Sequence, residues 1–228
     1  MRKITYDQDG LTTIHNCEFI KDPKFKLAYD RGMKAHEQYI PVEWRVHVAL
    51  WVADTVKNLE GDFVECGVNK GILSSSIMEF INWNYLNKQF FLFDTFNGLD
   101  PKYTTEQEKQ TEEYQKHISY YSECFEQTKK NFKEFKNIHL IKGSVPETLK
   151  DVQINTICYL SLDMNCAIPE IAAAEYFWPK MVSGAMVLLD DYAYAGYEEQ
   201  KREFDKFAYR KNITILHLPT GQGLYVKP

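Results

Sequence analysis

The sequence predicts an α/β fold: a single doubly wound, Rossmann-like sheet of seven strands, mostly parallel, with an antiparallel strand in a C-terminal hairpin and helices on both faces. Short apolar runs alternate along the chain with segments of helical periodicity, which is the pattern of a parallel sheet with crossover helices. The runs are continuously apolar, as in strands that are buried on both faces. The 228 residues, 44% of them hydrophobic, are enough for one such domain.

Seven short apolar runs are the predicted strands. The second run, Phe90-Phe-Leu-Phe, stops at Asp94. The turn Pro219-Thr-Gly-Gln-Gly separates the last two runs, which predicts an antiparallel hairpin. In chain order, the predicted strands cover residues 63–66, 90–93, 138–141, 157–162, 185–189, 213–218 and 224–227.

The segments between these runs carry apolar residues at helical spacing. A helix is predicted from about Pro41, which suits a first turn, to Leu59, and Gly61 ends it. Residues 106–135 are highly charged but keep an amphipathic repeat, which predicts one helix or a broken pair. Further helices are predicted at about residues 74–85, 169–177 and 198–209.

The N-terminal 35 residues are polar and show no clear period, so they are predicted to form an irregular arm or lid. No linker or low-complexity segment interrupts the rest of the chain, and we expect one structural domain overall. Within it, residues 1–60 supply the arm and a helix that packs on the core, and residues 61–228 supply the main α/β unit.

Charge and cysteine content exclude several classes of protein. The formal net charge is −5 and no basic tract is present, so we expect no nucleic-acid partner. We expect no membrane span, since no long apolar run exists, and no signal peptide, since the N-terminus is polar. Five cysteines without a Cys-x-x-Cys pair indicate a reduced, cytoplasmic protein.

The first predicted strand runs directly into a loop with two glycines, Gly67 and Gly71. Such a junction lets the backbone approach a ligand closely and points helix N–H groups at it. The spacing differs from the Gly-x-Gly-x-x-Gly of dinucleotide-binding loops. Glu65, just before the loop, disfavours a pyrophosphate but suits a cationic ligand. The loop therefore favours S-adenosylmethionine, which carries an ammonium and a sulfonium, over NAD.

Two further strand ends complete a predicted nucleoside pocket. Ligands of doubly wound sheets bind beyond the carboxyl ends of the strands. Asp94 ends the second strand and can accept hydrogen bonds from a ribose diol. Gly143, Ser144 and Val145 follow the third strand and are small enough for a planar base to lie alongside.

A cluster of carboxylates is predicted at the ends of the fourth and fifth strands. Asp163 follows the fourth strand, and Asp190 and Asp191 follow the fifth, which should be its neighbour in the sheet. Carboxylates this close repel one another unless a proton or a cation lies between them. We expect them to bind a hard divalent cation, Mg²⁺ or Mn²⁺. The alternative is that one aspartate only caps the following helix.

With these elements in order, the chain resembles the class I S-adenosylmethionine-dependent methyltransferases, and most closely the macrocin O-methyltransferase (TylF/MycF-like) family, which acts on sugar hydroxyls. The resemblance runs from about residue 61 to the C-terminus. It rests on four motifs: Gly61-Asp-Phe-Val-Glu-Cys-Gly-Val, Phe93-Asp-Thr-Phe-Asn-Gly-Leu, Lys142-Gly-Ser-Val-Pro-Glu-Thr-Leu and Leu188-Leu-Asp-Asp-Tyr. It implies a methyltransferase domain at residues 61–228 and, because family members are often oligomeric, a homo-oligomer, dimer or larger.

The resemblance also implies a role for each strand end. Glu65, Gly67 and Gly71 would flank the methionine moiety of the cofactor, Asp94 its ribose and Ser144 its adenine. The three strand-end aspartates would match the family's Mg²⁺ ligands. The residues expected to bind S-adenosylmethionine are Glu65, Gly67, Val68, Gly71, Ser74, Asp94, Thr95, Phe96, Ser144 and Val145.

Two segments depart from the family pattern. The usual Trp-Arg-Gly-Gly-Ser of the glycine loop is here Asn69-Lys-Gly-Ile-Leu, which moves the hydroxyl for the cofactor carboxylate to Ser74 or Ser75. The family's Asp-Gly-Asp-Leu-Tyr is here Asp163-Met-Asn-Cys-Ala, which removes an acidic residue.

The predicted function is transfer of a methyl group from S-adenosylmethionine to a hydroxyl of a sugar or related small polyol, assisted by a divalent metal. The hydroxyl must lose its proton during this in-line displacement, and Asp163 is the candidate base. His217 is expected to be structural, and residues 1–35 and 97–125 are expected to set acceptor specificity. The alternatives are a metal-independent small-molecule methyltransferase and a non-catalytic nucleoside-binding protein on the same fold.

Overall fold

A computed structural model describes residues 3–36 and 38–228 as two sheets with flanking helices. The strands are β1 (Tyr6–Gln8), β2 (Leu11–Thr13), β3 (Asp62–Cys66), β4 (Phe90–Asp94), β5 (Ile138–Lys142), β6 (Ile157–Leu162), β7 (Met181–Leu189), β8 (Leu216–His217) and β9 (Gly223–Val226). The α-helices are α1 (Pro23–Met33), α2 (Glu43–Val56), α3 (Ile72–Phe80), α4 (Glu112–Tyr120), α5 (Phe125–Asn131), α6 (Ala167–Phe177) and α7 (Glu198–Lys211). In the described part of the chain, every helix is too short or too polar to cross a membrane.

The main sheet has seven strands in the order β5-β4-β3-β6-β7-β9-β8. The first five are parallel, and β9 runs antiparallel to both β7 and β8. The predicted sheet with its C-terminal hairpin is therefore confirmed. The order of the strands reverses between β3 and β6, and this reversal opens a crevice at their carboxyl ends.

Helices cover both faces of the sheet because neighbouring residues on a strand point in opposite directions. Phe63 of β3 belongs to a core that it shares with residues of α1, α2 and α3. The next residue, Val64, belongs to a second core, which includes Phe177 of α6 and Phe204 of α7. The two cores pack against opposite faces of the sheet. They therefore hold the strand ends, and the crevice between them, in position.

The N-terminal segment is more regular than the sequence suggested. The β1–β2 hairpin and α1 occupy much of residues 6–33, so the prediction of an irregular arm was wrong. Asp22 caps α1 by accepting a hydrogen bond from Phe25 N at 2.9 Å, and Pro23 opens the helix. Phe25, Ala28 and Tyr29 are buried on its inner face. An Asp-Pro start followed by this spacing is a helix signal that could have been used.

Other helices and strands begin or end at residues different from those predicted, for local reasons. The charged segment forms the broken pair of helices, α4 and α5. The sixth predicted strand shortens to β8 because Ile213 N still donates to Ala208 O, after Asn212 ends α7 in the left-handed conformation. Tyr85 lies beyond α3 and is 90% exposed, so it is not part of that helix's buried face.

Phe63 should carry a large share of the stability of the first core. Its ring is fully buried, and its centroid lies 4.9 Å from that of Tyr159 and 5.4 Å from that of Trp83. We expect Phe63→Ala to lower the free energy of unfolding by about 3–5 kcal/mol, because a large side chain is lost and a cavity remains. Urea denaturation followed by circular dichroism measures this change.

The matched control is Tyr85→Ala, which removes an aromatic ring that is exposed to solvent. Its free energy of unfolding should stay within about 0.5 kcal/mol of the wild-type value. Equal losses for the two variants would contradict the core position of Phe63.

Candidate cofactor and metal site

A cleft of about 280 Å³ opens at the carboxyl ends of β3, β4, β5 and β6. This is where doubly wound sheets bind their ligands. Most of the residues predicted from the strand ends line it: Glu65, Gly67, Val68, Asp94, Thr95, Phe96, Ser144, Val145, Asp163 and Asp190. Three predicted residues are not among its lining: Gly71, Ser74 and Asp191.

Gly67 brings two of these strand ends into contact. Its φ is +94°, and a Cβ there would lie 1.8 Å from Asp163 O, so a side chain cannot be accommodated. Asp163 N donates to Cys66 O at 2.8 Å, and Gly67 N donates to Phe93 O at 2.9 Å. The loop backbone therefore forms the wall of the cleft beside Asp163.

Gly71 is required for packing against α5. A Cβ at this position would lie 2.3 Å from the ring of Phe132, and its φ is +87°. Gly71 lets α3 begin close to α5 and does not itself line the cleft, and its place beside the cofactor stays a prediction.

Asp94 holds the glycine loop in shape. One carboxylate oxygen accepts hydrogen bonds from Val68 N at 2.6 Å and Asn69 N at 2.7 Å, and the other accepts from Phe96 N at 2.5 Å. Thr95 Oγ1 also lies 3.4 Å from Oδ1, but its one proton is donated to Gly98 O at 2.6 Å. A carboxylate has about four acceptor positions, so one remains for a ligand hydroxyl. Asp94 thus combines a structural role with a position in the cleft.

Ser144 is paired with an acidic residue that the sequence analysis missed. Its Oγ donates to Asp100 Oδ2 at 2.5 Å, and this bond, with that from Lys102 N, lowers the pKa of Asp100. Asp100 follows Gly98 in the loop after β4, where no periodic pattern marks it. It adds an acceptor to the end of the cleft beside Val145.

Glu65 is a buried carboxyl group with an unpartnered oxygen. Its side chain is only 1% exposed; Ser74 Oγ donates to Oε1 at 3.2 Å, while Oε2 has no hydrogen-bond partner. Burial raises the pKa of Glu65 to about 8, although the bond from Ser74 opposes the rise. A carboxyl group in this environment favours a cationic partner.

The two serines predicted to receive the cofactor carboxylate are buried. Ser74 Oγ donates to Glu65, and Ser75 Oγ donates to the carbonyl oxygen of Gly71. Both side chains are fully shielded from solvent, and neither lines the cleft. Ser74 thus holds the carboxyl group of Glu65 in place, and a contact of Ser74 with the cofactor stays a prediction.

Asp163, Asp190 and Asp191 converge as predicted. One carboxylate oxygen from each lies within 4.8 Å of the others. Burial and then the neighbouring aspartates raise the pKa of Asp163 well above its usual range, and the same causes raise the pKa of Asp191 to about 7. Three oxygen donors on neighbouring strands fit a hard divalent cation, which would relieve their repulsion.

Arg45, in the first turn of α2, partly neutralises this cluster and was also missed. Its Nη1 donates to Asp190 and lies 3.6 Å from Asp191 Oδ1, and its Nε donates to Asp9 Oδ2 at 2.7 Å. Burial alone would lower the pKa of Arg45, but these carboxylates raise it. Asp9 lies in the turn of the β1–β2 hairpin and lines the cleft.

One guanidinium does not balance the whole cluster. Gln222 Nε2 donates to the second oxygen of Asp190 at 2.9 Å, so that side chain is held on both sides. The only salt bridges to the trio in the described residues are those from Arg45, and they reach Asp190 and Asp191. Asp163 is left without a cationic partner there.

Comparison with known sequences identifies a family. The family model described as macrocin-O-methyltransferase (TylF) matches residues 46–216. Among curated proteins, no sequence match was found.

Solved structures share the fold at low sequence identity. The O-methyltransferase NovP aligns with a TM-score of 0.73 and 16% identity, over 93% of this chain and 99% of its own. The calicheamicin methyltransferase CalS11 aligns with a TM-score of 0.66 and 16% identity, over 90% and 93% of the two chains. An apo structure of CalS11, described as a TDP-rhamnose 3'-O-methyltransferase, aligns with a TM-score of 0.57 and 15% identity, over 90% and 95%.

The family model spans most of the chain, from the first turn of α2 to β8. It includes the glycine loop and all three aspartates of the cluster, and it confirms the resemblance found in the four motifs. The chain therefore belongs to the macrocin-O-methyltransferase (TylF) family of S-adenosylmethionine-dependent methyltransferases.

Proposed function

We propose that this methyltransferase transfers a methyl group to a hydroxyl of a sugar or related small polyol, with assistance from a divalent cation. The observation that carries the proposal is the convergence of Glu65, Asp163 and Asp190 on one cleft at the ends of β3, β6 and β7, with a carboxylate oxygen of Asp191 within 4.8 Å of those of the other two aspartates. NovP, an O-methyltransferase, and CalS11, which acts on TDP-rhamnose, support an oxygen acceptor on a sugar.

Glu65 is the proposed partner of the cofactor's ammonium group. Its free Oε2 belongs to a side chain that lines the cleft, and a cation there would satisfy a buried oxygen that otherwise has no partner. Val68, Thr95 and Phe96 would enclose the cofactor, with Asp94 at its ribose and Ser144 and Val145 at its adenine. The backbone of Gly67 would lie against the cofactor's reacting end, beside Asp163.

Asp163 is the proposed base for the acceptor hydroxyl. Its carboxylate has no salt-bridge partner in the described residues, and burial and the neighbouring aspartates raise its pKa, so in its ionised form it is a stronger base than an ordinary carboxylate. Asp163, Asp190 and Asp191 would hold Mg²⁺ or Mn²⁺. When bound, such a cation lowers the pKa of a coordinated hydroxyl. The cleft walls would align acceptor and methyl donor, which can supply ~7–11 kcal/mol of the barrier reduction.

A metal-independent methyltransferase is the second candidate, and Arg45 favours it. Its guanidinium already contacts Asp190 and Asp191, so part of the charge that a metal would supply is present in the chain. The first candidate is preferred because Asp163 is the member of the trio that Arg45 leaves without a partner.

The surroundings of the site support three further proposals. Within residues 1–60, the β1–β2 hairpin would serve as a lid, since its Asp9 lines the cleft and bonds to Arg45 of α2, the helix that packs on the core. A cytoplasmic location is supported by five free cysteines. A homo-oligomer is proposed from the resemblance to the family, and exposed apolar side chains such as those of Trp51 and Leu27 are candidates for its interface.

Binding of S-adenosylhomocysteine, which keeps the ammonium group, should release a proton near neutral pH. Glu65 is protonated in the free protein at pH 7, because its pKa is raised to about 8, and a cation favours the ionised form. Affinity should therefore rise as the pH approaches 8 and level off above it. Calorimetric titration at pH 7 in phosphate and in Tris should give different binding enthalpies, since the two buffers take up the proton with different heats.

Glu65→Gln should make the binding enthalpy of S-adenosylhomocysteine independent of the buffer, and it should abolish the rise of S-adenosylhomocysteine affinity with pH. Glu60→Gln is the matched control, because Glu60 is exposed and lies outside the cleft. Buffer-independent enthalpies in the wild type would contradict the role of Glu65. A complete lack of S-adenosylhomocysteine binding would reject the proposed function itself.

Asp190→Asn should separate metal binding from cofactor binding. The amide keeps the size of the side chain but removes a charged oxygen ligand, so we expect methyl transfer to fall by about 100-fold or more. Titration with Mn²⁺, followed by electron paramagnetic resonance, should show weakened metal binding. Affinity for S-adenosylhomocysteine should stay close to the wild-type value.

The control for this variant is Asp54→Asn. It removes the charge of an aspartate of α2 whose only salt bridge in the described residues is to Lys57, at the surface. EDTA should stop the wild type and the control, and added Mg²⁺ should restore both. Wild-type turnover that is indifferent to EDTA would favour the metal-independent candidate.

A further inference from the structure

A second cavity, here called the outer cavity, has a volume of about 170 Å³ and lies between α4 and the start of α7. Leu99 and Asn165 line both this cavity and the cofactor cleft, so the two spaces are neighbours that share these residues as a wall. Tyr114 and His117 of α4 form one side of it, and Tyr197 lies on the other.

A chain of hydrogen bonds leads from the outer cavity to the candidate base. The Tyr197 hydroxyl donates to Asn165 Oδ1 at 3.1 Å, and His117 Nε2 lies 3.0 Å from the same hydroxyl. Because that hydroxyl has one proton, His117 must donate through Nε2. Asn165 Nδ2 in turn points at Asp163 Oδ1, at 3.5 Å. A molecule in the outer cavity would therefore lie beside side chains whose hydrogen bonds lead to Asp163.

The lining of the outer cavity is acidic. Among the residues that the structure describes, four carboxylates line it, against the guanidinium of Arg202: those of Glu108, Glu113, Glu198 and Glu199. Arg202 is already engaged, since Nη2 donates to Gln107 Oε1 at 3.2 Å and lies 3.9 Å from Glu199.

Two of these carboxylates have structural roles. Glu108 accepts from Thr105 N at 2.8 Å and Ala167 N at 2.7 Å, and Glu199 accepts from Thr105 Oγ at 2.8 Å. Glu198 accepts one bond, from Gly196 N at 3.0 Å, through Oε1. Glu113 is paired with Lys116, whose Nζ lies 2.8 Å from Oε2. The second oxygen of Glu198 is thus the most available acceptor for a ligand.

We propose that the outer cavity binds the part of the acceptor remote from the methylated hydroxyl, and that it takes a neutral or amino-bearing saccharide rather than a nucleotide-linked sugar. The proposal rests on the proposed function. Carboxylates repel a diphosphate, and the only cation of the lining in the described residues is paired. Tyrosine, histidine and glutamate side chains offer the acceptors and donors that sugar hydroxyl and ammonium groups need.

The test compares three probes on the protein loaded with S-adenosylhomocysteine: methyl glucosaminide, methyl glucoside and UDP-glucose. Saturation-transfer NMR titrations measure their dissociation constants. We expect the amino sugar to bind about fivefold more tightly than the neutral glycoside, as for a partly solvated ion pair. UDP-glucose should bind more weakly than both, and Glu198→Gln, but not Glu203→Gln, should remove the preference for the amino sugar.

A blocking variant locates the binding. Gln107 is exposed at the edge of the outer cavity and does not line the cofactor cleft. Gln107→Trp should weaken saccharide binding by about tenfold while S-adenosylhomocysteine affinity is unchanged. Gln110→Trp, in the same turn but outside both cavities, should change neither.

The possible results separate the two proposals. UDP-glucose binding as tight as that of methyl glucosaminide, or saccharide binding that Gln107→Trp leaves intact, would overturn this inference while S-adenosylhomocysteine binding upheld the proposed function. Absence of S-adenosylhomocysteine binding would reject the proposed function, and the acceptor cavity with it.

Discussion

The repulsion among acidic side chains at one edge of the sheet is the constraint on which the site depends. Asp9, Asp190 and Asp191 share the guanidinium of Arg45, while Glu65 and Asp163 have no cationic partner in the described residues. Buried carboxylates without partners are costly, and their raised pKa values express that cost. Ligands that bring positive charge should therefore stabilise the folded protein as well as bind to it.

Backbone geometry keeps these charges close in spite of their repulsion. Hydrogen bonds link the end of each central strand to its neighbour, from Gly143 to Asp94, from Gly67 to Phe93, and from Asp190 to Leu162. Gly67 permits the tightest of the contacts, against the carbonyl of Asp163. The two hydrophobic cores hold the strands from either side. The free energy gained by burying their apolar side chains offsets the repulsion among the carboxylates at the edge of the sheet.

The sequence was sufficient for features that depend on strand ends alone. Asp94, Asp163 and Asp190 could be placed because parallel strands end at one edge, and the order of motifs then indicated the family. Arg45 could not be found in this way, because its role depends on how α2 packs across the sheet. The direction of Ser74 could not be read from the sequence, because the register of α3 turns both Ser74 and Ser75 away from the cleft and the altered loop, Asn69-Lys-Gly-Ile-Leu, removed the usual guide. The Asp22-Pro23 start of α1 was visible but was outweighed by the polar composition around it.

The free oxygen of Glu65 has a consequence for turnover. Methyl transfer converts the sulfonium of the donor into a neutral thioether, so the product carries one positive charge fewer than the cofactor that entered. An acidic cleft attracts the incoming cofactor more strongly than the product it leaves behind. The carboxylates that destabilise the ligand-free protein would thus favour replacement of S-adenosylhomocysteine by S-adenosylmethionine. Because salt screens this attraction, product inhibition should be weaker at low ionic strength than at high.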